Sequence, residues 1–131
     1  MHLQVITNQA ILLLQHLHRH SDDGVQSGQS VATAIGVTYQ RFVQIATHLK
    51  RDELLISTSG RYGGYVLGKP ATEISFYDVV LSVQGKLCIS HCKANDKKCD
   101  EMGHCKMYEF LQALRDNMIT DMSSMYIASM S

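Results

Sequence analysis

Residues 37–55, VTYQRFVQIATHLKRDELL, and the nearby run 59–70, SGRYGGYVLGKP, decide the fold. In the first run Phe42, Ile45, Ala46 and Leu49 recur at helical spacing, which predicts a helix from Tyr39 to about Lys50 with the Thr38 hydroxyl capping its orphan amides. Tyr39, Gln40, Arg41 and Gln44 then point outward. Upstream, a shorter helix over about Ser27–Ile35 buries Val31, Ala32 and Ile35 and ends at a tight Gly36-Val37 turn. Two helices joined by a short glycine turn, the second presenting a polar face, form a helix-turn-helix. Leu54–Thr58 and Tyr65–Leu67 are strand-like runs flanking a glycine-rich tip, where glycine supplies the positive φ that a tight hairpin needs. Directly after a helix-turn-helix, such a hairpin is a wing. Arg61, at its tip, is the side chain best placed to reach a phosphate or a narrow minor groove.

Outward from this centre, Ile11, Leu14 and Leu17 repeat at helical spacing and predict a first helix starting near Thr7, with the Thr7 hydroxyl as its cap. Ser21-Asp22-Asp23-Gly24 ends it. Of His16, His18 and His20, helical spacing puts only His16 and His20 on one face, where they read as a surface pair. Pro70 closes the wing, Ile74–Val83 reads as a further short helix, and Gly85 breaks it. From Met107 onward, Met107, Leu111, Leu114, Met118, Met122 and Met125 recur at three- and four-residue steps. That stripe predicts a helix over 106–126, too long for so small a core and suited to packing against its copy in a second chain. The expected fold class is mainly α with a small β-hairpin wing: a winged helix-turn-helix over 1–70, then, over 71–131, a linker helix, a cysteine loop (86–105) and a dimerisation helix.

The chain has 131 residues, enough for one domain or a small domain with an appendage. Its 45% hydrophobic content allows a core, and its seven methionines suit an adaptable helical interface. The formal net charge is zero, but 1–70 carries six basic against four acidic residues and 71–131 carries six against eight. That asymmetry is compatible with a DNA-facing N-terminal half. No apolar run approaches the roughly 20 residues that cross a bilayer, and the first twenty residues lack the cationic region and cleavage site of a secretory signal. The expectation is a protein with no membrane association.

Four cysteines in an unsecreted chain point to metal or redox chemistry rather than a disulfide framework. Cys92, Cys99 and Cys105 are separated by six and five residues of polar filler, too widely for the paired-ligand zinc knuckle but able to wrap a compact metal centre. Three thiols in a hydrophilic loop do not read as core packing. Cys88, between Leu87 and Ile89, reads as a packing residue. His91 and His104 adjoin the candidate ligand positions and could hydrogen-bond the centre or join it.

The order of these parts resembles the winged-helix iron–sulfur regulators typified by IscR, NsrR and RirA, over nearly the whole chain. The segments that carry the resemblance are VTYQRFVQIATHLKRDELL, SGRYGGYVLGKP, ISFYDVV (74–80) and the three-cysteine loop leading into a long helix. It implies a homodimeric, cytoplasmic bacterial transcription factor, repressor in type, that binds palindromic double-stranded promoter DNA and responds to nitric oxide, iron or redox state. By position, Cys92, Cys99 and Cys105 fall where the family's cluster ligands lie, which implies an iron–sulfur cluster, 4Fe–4S in preference to 2Fe–2S. Thr38, Tyr39, Gln40 and Arg41 fall at the start of the recognition helix, where family members touch bases and phosphates, with Gln44 one turn on and Arg61 in the wing. The chain departs from the family pattern in three places. Ser59 replaces an arginine before the wing glycine. Asn8 stands where some members have a ligating aspartate, and Tyr108 where others have a histidine. The fourth ligand is left open between Asn8, His91, His104, Cys88 and a small exogenous molecule.

Two rival functions remain: a cluster-free regulator whose thiols sense oxidants, and a small metal- or cluster-handling protein that does not bind DNA. The sequence shows no Ser/His/Asp set, phosphate-binding glycine loop or convergent carboxylate pair, so an enzyme is not expected.

Overall fold

The computed structural model describes residues 2–87 and 105–131. Among these residues six helices and one hairpin follow in the order α1 (Val5–Arg19), a 3₁₀ turn (Ser21–Asp23), α2 (Gly28–Ile35), α3 (Tyr39–Arg51), β1 (Leu55–Thr58), β2 (Gly64–Leu67), α4 (Phe76–Gln84), α5 (Lys106–Ser124) and α6 (Ile127–Met130). The mainly helical fold with a two-stranded antiparallel wing agrees with the sequence reading.

One core gathers the apolar faces: Leu13 and Leu14 of α1, Val31 of α2, Phe42, Ile45 and Leu49 of α3, and Val79 of α4. The sequence expected Ile11, Leu14 and Leu17 on the inner face of α1, and all three are buried. Ser27 caps α2 by accepting from Ser30 N at 3.1 Å. Gly36 then takes the left-handed conformation, φ 76° and ψ 35°, and lets the chain reverse into α3. At the start of α4, Ser75 and Asp78 form a reciprocal capping box, with Asp78 N donating to Ser75 Oγ and Ser75 N to Asp78 Oδ2.

Two expectations change. Thr7 is not the cap of α1: the helix begins at Val5 after Gln4, and Thr7 is fully buried inside it. Its hydroxyl donates instead to Gln84 Oε1 of α4 at 2.7 Å, a long-range partner that satisfies the oxygen in an otherwise apolar contact. The long C-terminal helix stops at Ser124, short of residue 126, because Met125 and Tyr126 turn extended. They pair with the linker before α4: Phe76 N donates to Met125 O at 2.7 Å and Ile127 N to Ile74 O at 2.9 Å. Helix α6 then places Ile127 in the same core as Phe42 and Leu14.

Candidate nucleic-acid interface

Thr38 sits at the N-cap of α3 and its Oγ1 accepts from Arg41 N at 3.1 Å, as the sequence predicted. Thr38, Tyr39, Gln40 and Gln44 are exposed and Arg41 is half-buried, so the five side chains form one polar patch at the start of the helix. Helix N-termini present unpaired amides and a partial positive charge, which suit a phosphate. Val43 and Thr47 are also exposed on α3 and extend the patch. Sequence reasoning left them out, although their offset from the buried Phe42, Ile45, Ala46 and Leu49 contained the signal.

Tyr39 both packs and faces solvent. Its ring stacks on Phe42 at 6.1 Å, and Phe42 meets Tyr65 of β2 edge-on at 4.9 Å, yet Tyr39 keeps half its surface exposed. All three rings close over Gly28, where an added Cβ would lie 2.8 Å from Phe42 Cε1. This aromatic stack joins α3 to the wing. Burial pushes the Tyr65 hydroxyl above its ordinary pKa, keeping the ring neutral within the stack.

The wing tip runs from Ser59 to Gly63, closed by Gly63 N donating to Gly60 O at 3.1 Å, with Gly60 at φ 107°. Arg61 is exposed and lies 5.7 Å from the centre of the Tyr62 ring. Tyr62 is 85% exposed and was missed in the sequence; an aromatic beside an arginine in a glycine-rich tip was the available clue. The wing tip and the start of α3 thus carry the exposed and half-buried side chains that the sequence reading expected at DNA. Arg51, at the far end of α3, is exposed but engaged within the chain, donating to Ser82 O at 2.8 Å and to Asp52 Oδ2 at 3.1 Å.

The residues expected to hold a metal centre are placed only in part. Cys88, His91, Cys92, Cys99 and His104 lie outside the described residues. Cys105 is a free, half-buried thiol at the N-cap of α5, with no side-chain capping bond. Asn8 is exposed in the first two turns of α1. His16 and His20 form the surface pair expected, 4.5 Å between ring centres. Among the described residues no group of three His, Cys, Asp or Glu side chains converges to hold a metal ion.

The segment that leads into the cysteines is held by three helices. Ser82 Oγ donates to His48 O of α3 at 3.0 Å. Gln84 Oε1 accepts from Gln4 N at 3.1 Å and from Thr7, both at the start of α1. Arg115 of α5 donates to Leu87 O at 2.8 Å. No residue of α5 is buried within the chain; Met107, Phe110 and Leu114 stand exposed. Phe110 was not part of the stripe read from the sequence.

The sequence profile of the Rrf2 family, described as "Iron-dependent Transcriptional regulator", matches residues 3–131. A candidate helix-turn-helix-type transcriptional regulator of Mycobacterium tuberculosis is 37% identical over 78 residues, covering 60% of this chain and 48% of that protein. The regulator IscR of Photorhabdus laumondii is 24% identical over 115 residues, covering 88% of this chain and 70% of its own. The chain spans about half the length of the mycobacterial relative. Among solved structures, IscR of T. potens superposes with a TM-score of 0.76 at 18% identity, covering 99% of this chain and 85% of that one. CymR of B. subtilis, named as a global cysteine regulator, gives 0.74 at 18% identity, covering 99% and 95%. At these identities the superpositions establish the fold. No helix among the described residues is long and apolar enough to cross a membrane.

Proposed function

The chain belongs to the Rrf2 family of transcriptional regulators, and from that premise we propose that it works as a homodimeric, cytoplasmic repressor that reads promoter DNA and senses iron supply, nitric oxide or redox state. The observation that carries the DNA reading is the aromatic stack of Tyr39, Phe42 and Tyr65, which fixes a polar helix start and an arginine-tipped wing into one surface. Gln40, Arg41 and Gln44 reach base edges and phosphates in the major groove, Thr38 and the first amides of α3 hold a phosphate, and Arg61 follows the backbone or minor groove beside it. The uncovered face of α5 supports a second copy as partner, and a dimer places two recognition helices on half-sites about one helical turn apart.

Cys92, Cys99 and Cys105 hold an iron–sulfur cluster, 4Fe–4S in preference to 2Fe–2S, with the fourth ligand drawn from Asn8, His91, His104, Cys88 or a small molecule. Such a cluster supplies a centre reactive toward nitric oxide and oxidants. The chain's own contribution is the anchoring of residues 82–87. Ser82 ties that segment to the end of α3, Gln84 to the start of α1 and Arg115 to α5. A change in the cysteine segment therefore acts on the recognition helix through hydrogen bonds already in place. The signal must favour one of two shapes, since a ligand biases an equilibrium only through differential affinity.

Two measurements test the proposal. Selection from a random-sequence duplex pool should enrich a palindrome, and a pool without enrichment removes the DNA reading. Protein prepared without oxygen should be coloured and contain iron and sulfide, losing its palindrome affinity in step with the colour as nitric oxide is added. Colourless, iron-free protein that still binds the palindrome and responds to oxidants leaves the thiol-based reading in its place.

A further inference from the structure

We infer that a cavity behind the wing is a binding site for a small organic anion, a carboxylate with an apolar body, lined neither by Cys105 nor by the start of α3 or the wing tip. The cavity, of about 380 Å³, lies between the end of α1 and the outer edge of β2. Pockets of a few hundred cubic ångströms are the size that encloses small ligands.

The first argument is the strand edge. In an antiparallel hairpin, successive residues turn their N–H and C=O alternately toward the partner strand and away from it. Tyr65 turns both outward, donating to Gln26 O at 2.7 Å and accepting from Gln26 N at 3.3 Å, whereas Gly68 N turns inward to Leu54 O at 3.0 Å. Leu67, two residues beyond Tyr65, therefore also turns its N–H and C=O outward, into the cavity it lines. Among the described residues neither group has a hydrogen-bond partner. An unpaired amide at a partly covered strand edge is a donor in search of an acceptor.

Charge is the second argument. Lys69, Ser21 and His18 border the same space, and no aspartate or glutamate does. Among the described residues the Lys69 ammonium makes no ion pair and the half-buried His18 ring no hydrogen bond. Leu17, Pro70 and Ala71 supply apolar wall. A carboxylate can accept from Leu67 N–H and Lys69 while its hydrocarbon body covers Leu17 and Ala71. Charge-assisted bonds of this kind outweigh neutral ones.

Position gives the site a consequence. The Gln26–Tyr65 bridge ends where the cavity begins, so an occupant continues the pairing along β2 and stiffens the base of the wing. The test uses the full chain, prepared without oxygen and labelled with ¹⁵N, titrated with benzoate and with 4-methylpentanoate at constant ionic strength. Benzamide serves as the uncharged control. The expected result is saturable movement of the Leu67, Gly68 and Lys69 amide signals by at least one acid, with slower exchange of the Tyr65 amide. Benzamide should leave them in place, and Lys69→Gln, at an exposed position that spares the fold, should weaken the acid by about tenfold. The site is refuted if neither acid saturates in the low-millimolar range. It is equally refuted if benzamide matches the acids, if Lys69→Gln leaves the affinity unchanged, or if the signals that move lie elsewhere. None of these outcomes depends on DNA binding or iron content.

Discussion

Arg61 and Gly28 show how differently single residues bear on the interface. Arg61 is exposed at the wing tip, rests against the Tyr62 ring and contributes little to folding. Arg61→Ala should leave the unfolding midpoint unchanged while the log–log salt dependence of duplex binding becomes shallower by about one; fluorescence anisotropy across a salt series checks this, and an unaltered slope removes Arg61 from the backbone contacts. Gly28 is buried and leaves room for the Phe42, Tyr65 and Tyr39 rings. Gly28→Ala should cost about 1–3 kcal/mol through overpacking, read by urea denaturation, and should weaken duplex binding because the wing and α3 no longer share one frame. The sequence made Arg61 and Thr38 legible because exposure at a glycine tip and capping before an apolar run are local rules. Gly28 and Thr7 were not legible. One owes its role to rings 11, 14 and 37 positions away and the other to Gln84, and no periodicity encodes such meetings.

Among the elements, α3 follows its pattern closely, since one buried face of Phe42, Ile45, Ala46 and Leu49 sets both its orientation and its length. Helix α5 is different. Its stripe was readable, but the stripe alone did not reveal that the chain itself buries none of its 19 residues. Exposed Met107, Phe110 and Leu114 make a surface that, in the proposed homodimer, a second α5 would cover. Phe110→Glu should convert the dimer to a monomer in sedimentation experiments while circular dichroism keeps the helices of the N-terminal part. A variant that stays dimeric places the interface on another face. The end of α5 escaped the sequence reading because the apolar spacing continues through Met125, whereas the backbone leaves the helix to pair with Ser75 and Phe76.

At the scale of the whole described fold, residues 127–130 close the core. Ile127 is fully buried with α1, α3 and α4, and Gln15 of α1 donates to Met130 O at 3.1 Å. Ile127→Ala should therefore cost about 2–5 kcal/mol and lower the thermal midpoint of the entire cooperative transition. If only the signal of α5 melted earlier, the C-terminal turn would be a separate unit. This closure joins residues more than fifty positions apart, beyond the reach of local pattern. The parts and their order were nonetheless legible, because each helix and the hairpin follows its own spacing, and the resemblance to a known family covered nearly the full chain.

Tethered at mid-length by Arg115 to Leu87 and at its end by Met125 to Phe76, α5 is a lever of about 28 Å. Two such levers crossing at a shared pivot would turn like the blades of shears. A few degrees of rotation at the crossing would swing each wing tip through an arc several ångströms long, enough to put two grooves in or out of reach.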